Sequence, residues 1–189
     1  MASVRQYWEA AVFTRDRTWK LMQKHLESGV YTIFSAQKSA PSRDAIRDFG
    51  REVGCKFPDE FVVHSAGEYG GLYVEVSEAL WPRPKVGDVG PFWSFLYGLY
   101  TLNLADGIPA YMDLRANTLE FRKSTGLSLV PCLKLIGSAD RYCFDEAGHL
   151  GQWDHETNDF VRGEKSFFET LDYELGQLRS RKDRKCKEA

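Results

Sequence analysis

The sequence predicts an α+β fold with a mainly antiparallel sheet. Helix patterns concentrate towards the two ends of the chain, and short runs rich in β-branched and aromatic residues lie between them. Strands and helices do not alternate regularly, as a parallel α/β sheet would require. With 189 residues, 43% of them hydrophobic and 14% aromatic, the chain can bury a substantial core.

The N-terminal segment predicts a long amphipathic helix from Ser3 to Glu27, with Gly29 as a stop signal. Its apolar stripe, which is expected to face the core, consists of Val4, Trp8, Val12, Trp19, Met22 and Leu26. After this helix, the run VYTIF at residues 30–34 fits either a short strand or an extended linker.

Two shorter helices follow. Ser42 is the predicted N-cap of the second helix, and Gly54 is its predicted stop. Pro58 suits the first position of the third helix, because that position needs no backbone N–H donor. Glycines at 67, 70 and 71 end this helix, and the run LYVEV after them predicts a strand.

The middle of the chain predicts two strands around one further helix. Residues 81–91 form a Pro/Gly-rich loop, and the aromatic run FWSFLYGLYTLNL predicts a buried strand, with a helix as the alternative. The helix within residues 106–126 is expected to begin near Pro109 and to end before Gly126. In the strand LSLVPCLKLIG, Pro131 indicates a sheet edge or a bulge, because proline cannot donate a ladder hydrogen bond.

The C-terminal third predicts a hairpin and a closing helix. The runs DRYCF and LGQWDH are short strands around DEAG, where Asp145 can cap the turn and Gly148 can adopt the left-handed conformation. Ser166 and Glu169 have the spacing of a capping box. The apolar stripe of the closing helix consists of Phe168, Leu171, Leu175 and Leu178.

The overall composition bears on several function classes. The formal net charge is −2, so the chain has no general attraction to nucleic acid or to a membrane, and we expect it to bind neither directly. The first 20 residues carry charges throughout and do not predict a secretory signal. The four cysteines show no paired spacing. We therefore expect a cytoplasmic protein with free thiols and no cofactor.

Catalytic signatures are sparse in this sequence. It contains no serine-hydrolase elbow, no phosphate-binding loop and no dinucleotide fingerprint. Cys143, His149 and His155 could bind a metal, and Cys143 with His155 could act as nucleophile and base. The neighbours Asp145 and Glu146 could act as general acid and base. The alternative in each case is a buried thiol or a solvated surface group.

Two segments of the chain resemble the SUKH superfamily, which includes many bacterial immunity proteins and a fungal cell-wall regulator. In about residues 27–76, the resemblance rests on Phe57-Pro58 opening a short helix and on Gly70-Gly71 before a strand. In about residues 133–178, it rests on two strands around DEAG, the tryptophan of QWDH and a closing helix that begins with SFF.

This resemblance implies a twisted, mostly antiparallel sheet flanked by N-terminal and C-terminal helices, within a single domain over residues 1–180. Residues 181–189 are then expected to be a frayed basic tail. The resemblance transfers no catalytic residue and implies an immunity protein that binds a cognate toxin, with a nuclease as one candidate, and neutralises it by occlusion. The alternatives are a regulatory interaction module without a toxin, and a hydrolase that uses Cys143 and histidines.

The stretch GSADRYCFDEAGHLGQWDHETNDF, residues 137–160, contains six acidic residues and a single arginine. Toxins that act on nucleic acid must bind phosphates, so an acidic surface would attract them, and a tryptophan among the acids could anchor the contact. The predicted partner-binding residues for a basic protein toxin are Asp140, Asp145, Glu146, Trp153, Asp154 and Glu156. The alternative is that these acids only solubilise turns.

Overall fold

The computed structural model describes residues 17–85 and 87–188. The helices in these ranges are α1 (Arg17–His25), α2 (Arg43–Glu52), α3 (Asp59–Ala66), α4 (Leu114–Thr125) and α5 (Phe167–Glu188). The strands are β1 (Tyr31–Phe34), β2 (Tyr73–Val76), β3 (Gly98–Thr101), β4 (Val130–Ile136), β5 (Arg141–Phe144), β6 (Leu150–Trp153) and β7 (Phe160–Arg162). Short 3-10 turns span Gln37–Ser39, Phe92–Phe95 and Ala110–Met112.

The seven strands form one open antiparallel sheet in the order β1-β2-β3-β4-β5-β6-β7. Every strand pairs with its neighbour in sequence, and helices lie in the N-terminal and C-terminal regions of the chain. The predicted α+β class with a mainly antiparallel sheet is therefore confirmed. The predicted N-terminal helix is described only from Arg17 onward, so Val4, Trp8 and Val12 lie outside the described residues.

Helices cover both faces of the sheet, though not equally. On one face, the Phe144 ring of β5 packs against Phe61 of α3 and Phe167 of α5, with centroids 5.1 and 6.3 Å away. On the other face, α4 places Phe121 in a smaller cluster with Cys143 and Trp153. The predicted stripe of α5 is confirmed, because all four of its residues, Phe168, Leu171, Leu175 and Leu178, are buried.

Local capping signals in the sequence are also confirmed. The Ser42 hydroxyl accepts a hydrogen bond from the N–H of Ala45 at 3.1 Å and begins α2. At the start of α5, the Glu169 carboxylate accepts from the N–H of Ser166 at 2.7 Å, as a capping box requires. One boundary is corrected: α4 begins at Leu114 with Asp113 as its cap, and Pro109 only precedes a 3-10 turn.

Three features of the middle of the chain differ from the sequence prediction. The aromatic run is a strand only over Gly98–Thr101, and a 3-10 turn precedes it. Pro131 lies in the central strand β4, where the register shifts, so the predicted bulge is confirmed and the predicted edge position is wrong. Trp81, in the predicted loop, is 1% exposed, and its Nε1 donates to the carbonyl of Ser94.

The basic C-terminal segment continues α5 as a helix to Glu188. The prediction of a frayed tail from residue 181 is therefore wrong for residues 181–188. Arg181 and Lys182 are buried. The Arg181 Nε donates to the carbonyl of Leu96 at 3.0 Å, and the Lys182 ammonium lies 3.3 Å from the Glu27 carboxylate. Long basic side chains can pack their aliphatic stems on a core, so a run of charge is a poor signal for fraying.

None of the helices in the described ranges combines the length and the apolar character that crossing a bilayer requires.

Candidate partner-binding site

The hairpin of β5 and β6 separates the six predicted partner-binding residues into two groups. The cross-strand pair Phe144–Leu150 lies beside the hairpin turn, and the pair Arg141–Trp153 lies at the opposite end. Asp145 therefore follows β5, whereas Asp140 precedes it. Five residue steps at the strand rise of about 3.4 Å place them about 17 Å apart. The predicted set does not form one continuous face.

At the hairpin turn, Asp145 has a structural role. Its side chain is 13% exposed, accepts a hydrogen bond from the N–H of His149 at 2.9 Å and pairs with Arg162 at 2.7 Å. Burial alone would raise the pKa of Asp145, but the hydrogen bonds from His149 and the charge of Arg162 outweigh it and lower the pKa. Gly148 has a φ of 86°, as predicted for this turn. The Asp145 side chain therefore stabilises the hairpin turn.

Glu146 is exposed on the same turn, next to basic side chains. It lines a cavity of about 490 Å³ that Arg47, Arg51 and Lys56 also line. Its backbone carbonyl accepts a hydrogen bond from the N–H of Lys56 at 3.0 Å. Arg47 and Arg51 already pair with Asp59 and Asp48, so Lys56 is the neighbouring cation that can reduce the negative potential of Glu146.

The opposite end of the hairpin gathers the remaining acids. Asp140 lies before β5, and the β6–β7 turn holds the other three, so we define the acidic end as Asp140, Asp154, Glu156 and Asp159. Asp154, Glu156 and Asp159 are exposed and form no ion pair with any described residue. Asp159 was not among the predicted residues, although it lies in the same acidic stretch.

Hydrogen bonds fix the β6–β7 turn that carries these acids. One oxygen of Asp154 accepts from the N–H groups of Glu156 and Thr157, at 2.8 and 3.1 Å. Asn158 has a φ of 59°, a left-handed conformation that asparagine tolerates better than most residues. Its amide donates to the carbonyl of Thr125 at 3.2 Å and so ties the turn to the end of α4.

Trp153 lies behind the acidic end and is half-buried. Its ring packs edge-on against Phe121, with centroids 4.9 Å apart, and its Nε1 donates to Asn158 at 2.9 Å. Both the ring and the N–H therefore have partners within the chain. The geometry fits a tryptophan at the margin of the core that supports the acidic turn.

His155 pairs with Asp140 within the acidic end. Its Nδ1 lies 2.8 Å from an Asp140 oxygen, and its backbone N–H donates to the same oxygen at 3.1 Å. The hydrogen bond from Asp140 raises the pKa of His155. Burial acts to raise the pKa of Asp140, but the hydrogen bonds from His155 outweigh it and lower that pKa.

We expect the Asp140→Asn substitution to lower the pKa of His155 from its raised value towards the ordinary value of about 6.5. The charge–charge part of this pairing stabilises the turn only while both groups are charged. That stabilisation is lost as pH rises through the raised pKa of His155, and as pH falls through the lowered pKa of Asp140. A proton NMR titration of the His155 ring in both proteins measures the shift. An unchanged His155 pKa in the variant would contradict the assignment.

The alternative in which Cys143, His149 and His155 together bind a metal is not supported. Cys143 is buried in the cluster with Phe121, His149 pairs with Asp145 at the hairpin turn, and His155 lies at the opposite end. A different group, Asp140, Asp154 and His155, places one ligand atom from each residue within 4.8 Å of the others. Hydrogen bonding between Asp140 and His155 already accounts for much of this proximity.

The Cys143 thiol lacks the features of a nucleophile. It is 0% exposed, and burial raises its pKa well above that of a free cysteine. Cys55 and Cys132 are also buried, and burial raises the pKa of Cys55 to about 12. A reactive thiol needs a lowered pKa and access to its substrate. The structure therefore does not favour the hydrolase alternative.

We expect alkylation of the native protein to modify Cys186 first, because it is the exposed cysteine of the four. Cys55, Cys132 and Cys143 should react only as fast as the protein opens. Iodoacetamide labelling followed by peptide mass spectrometry measures the four rates, and a denatured sample provides the control. Labelling of Cys143 as fast as that of Cys186 would return the hydrolase alternative to consideration.

Comparisons of this chain with known proteins find no match. No protein-family model matches the chain, and neither a curated protein nor a solved structure matches it. The resemblance to the SUKH superfamily, carried by the motifs of the sequence, stays a prediction.

Proposed function

We propose that this chain is an immunity-type binding protein whose acidic end contacts a basic protein toxin and blocks it by occlusion. One observation carries the proposal: Asp154, Glu156 and Asp159 expose three carboxylates in a single short turn, without an ion-pair partner among the described residues. Unpaired charges of one sign create a local negative field, although the chain as a whole is nearly neutral.

The rigidity of the turn favours binding. Asp154 caps the turn from within, and Asn158 anchors it to α4. A loop that is ordered before contact loses little conformational freedom on association, so more of the interaction energy appears as affinity. Exposed acids on such a turn attract a cationic partner from a distance and orient it during the encounter.

The class of partner follows from charge and from the motifs. An enzyme that cuts nucleic acid needs basic residues to bind phosphates, and an acidic turn offers those residues a substitute for the phosphate charges. A protein that occupies such a surface excludes the substrate without any chemistry of its own. The SUKH-like motifs support the same conclusion, because many members of that superfamily neutralise toxins by binding.

A native pull-down from the source cells, with the tagged chain as bait, tests the proposal. We expect one stoichiometric partner with a basic toxin-like domain, whose activity is lost when the chain is added in equimolar amount. Capture of several cellular proteins without toxic activity would contradict the immunity function and favour the regulatory module. The Glu146→Lys variant, in which all the charges of the acidic end are intact, should capture the same partner.

A further inference from the structure

A row of side chains crosses five neighbouring strands on the face of the sheet that carries α4. The pairs Phe34–Tyr73, Tyr73–Tyr100 and Tyr100–Lys134 are in direct register. The antiparallel pairing of β4 with β5 places Arg141 opposite Lys134. We call these five residues the cross-strand row. Four strand spacings of about 4.8 Å make the row about 19 Å long.

The half of the row on β1 to β3 is aromatic. The Phe34 and Tyr73 rings are stacked with centroids 4.4 Å apart, and the Tyr100 ring continues the stack at 6.3 Å. Beside them, Tyr111 is 48% exposed and packs edge-on against Tyr73 and Tyr100. Tyrosine is enriched in protein interfaces, because its rigid ring provides contact area at a low entropic cost. The Tyr73 ring lies between two parallel rings, so its faces are not open to the bases of a nucleic acid.

The half of the row on β4 and β5 carries two cations without a carboxylate partner. Lys134 is half-buried, and its ammonium forms no ion pair or hydrogen bond with any residue of the described ranges. The guanidinium of Arg141 makes one hydrogen bond there, from Nη1 to the Asn117 amide oxygen at 3.2 Å. Like charges directly opposite each other destabilise a sheet. An anion bound between Lys134 and Arg141 would remove this repulsion.

The carboxylates near the row do not neutralise these two cations. Glu75 accepts a hydrogen bond from the Tyr73 hydroxyl at 2.7 Å and pairs with Arg83 at 3.2 Å. Glu120 of α4 is exposed and forms no ion pair with Lys134. Burial and the charge of Arg141 lower the pKa of Lys134, although Glu120 acts to raise it. The part of the chain that the structure describes therefore does not supply the missing anion.

We propose that the cross-strand row binds an acidic, extended peptide segment of a partner protein. Its carboxylates pair with Lys134 and Arg141, and an apolar side chain of the same segment packs against Tyr111. An extended chain of about six residues spans the row. A small anion would not be enclosed on an open sheet face, whereas a peptide contacts both halves of the row. The row does not depend on the acidic end, so either proposal can fail while the other stands.

Titration of the ¹⁵N-labelled full chain with the N-acetylated, C-amidated hexapeptide LLEEEE tests the site. We expect saturable amide shifts in β3, β4 and β5 and at Tyr111, and no saturable shift with the uncharged peptide LLQQQQ. Lys134→Met should weaken LLEEEE binding by about fivefold or more, because it removes the ammonium and keeps the apolar stem. It should also fold, because it removes the repulsion from Arg141. Equal binding of the two peptides, or unchanged binding by Lys134→Met, would overturn the proposal.

Matched variants separate the row from nonspecific attraction. Lys20→Met removes an exposed lysine from α1, which packs against α5, and should leave the affinity for LLEEEE unchanged. Glu120→Gln removes the carboxylate near Lys134 and should tighten binding by about twofold. A loss with Lys20→Met as large as that with Lys134→Met would show nonspecific attraction and overturn the proposal. If Lys134→Met does not fold, unchanged binding by Arg141→Gln overturns it in the same way.

Two other occupants are outcomes of the same test. Hexathymidylate that binds the row more tightly than LLEEEE would assign it to single-stranded nucleic acid. Self-association of the native chain that Lys134→Met abolishes would assign the row to a second copy, whose acidic end then supplies the anion. Analytical ultracentrifugation measures this self-association. Either result would overturn the proposal, and we expect neither.

Discussion

Replacing Phe61 with alanine is expected to lower the free energy of unfolding by about 3–5 kcal/mol, the usual cost of removing a buried phenylalanine. Phe61 is 0% exposed, and its ring lies between the helices and the sheet. The rings of Phe57, Phe144 and Phe167 surround it, with centroids 5.0, 5.1 and 5.2 Å away. Removing it creates a cavity where α3, α5 and β5 meet. The loss is a large part of the total free energy of unfolding, which is only about 5–15 kcal/mol for domains of this size.

Urea unfolding followed by circular dichroism measures this loss, and Phe92→Ala is the matched control. Phe92 has the same side chain but is 60% exposed, so its removal should change the unfolding free energy by no more than about 0.5 kcal/mol. A loss below about 1 kcal/mol for Phe61→Ala, or equal losses for the two variants, would contradict the described core.

Reversing the charge of the β6–β7 turn of the acidic end is expected to weaken partner binding by about 100-fold or more, because like charges then face a basic partner. The variant combines Asp154→Asn, Glu156→Lys and Asp159→Lys. Asparagine at 154 keeps an oxygen that can accept the hydrogen bonds from Glu156 and Thr157, so the turn should keep its shape. The fold should remain intact, since all three positions are exposed.

Isothermal titration with the purified partner gives the affinities, and Glu146→Lys is the control at the other end of the hairpin. Glu146 follows the end of β5 that is about 17 Å from Asp140, farther than the screening length at about 0.1 M salt, so its reversal should change the affinity by less than about threefold. The opposite ranking of the two variants would move the binding face to the hairpin turn. Equal, small effects would mean that the acids only solubilise the turns.

Local features of the fold were predictable because each depends on a few neighbouring residues. Ser42, Ser166 and Glu169 form their predicted caps through backbone groups no more than three residues away. Gly148 adopts its predicted conformation because the turn between β5 and β6 is closed by Asp145 nearby. The class of the fold followed from the order of such elements along the chain.

The features that were missed depend on contacts between distant segments. The role of Asp145 depends on Arg162, which reaches it only because β7 pairs with β6. Burial of Arg181 depends on Leu96, which is 85 residues away in sequence. The separation of the acidic residues into two groups could have been predicted from the sequence, because the predicted hairpin already places a strand between Asp140 and Asp145.

The most direct test of the central claim is the salt dependence of partner binding by the native chain and by the acidic-end variant. Exposed charges are screened over about 10 Å at about 0.1 M salt and over about 3 Å at about 1 M. If the acidic end binds a basic partner, the native affinity should fall steeply between these concentrations. The affinity of the variant should stay constant or rise with salt, because salt screens the repulsion between its lysines and the partner. Equal salt dependence in the two proteins would contradict the claim that these carboxylates carry the interaction.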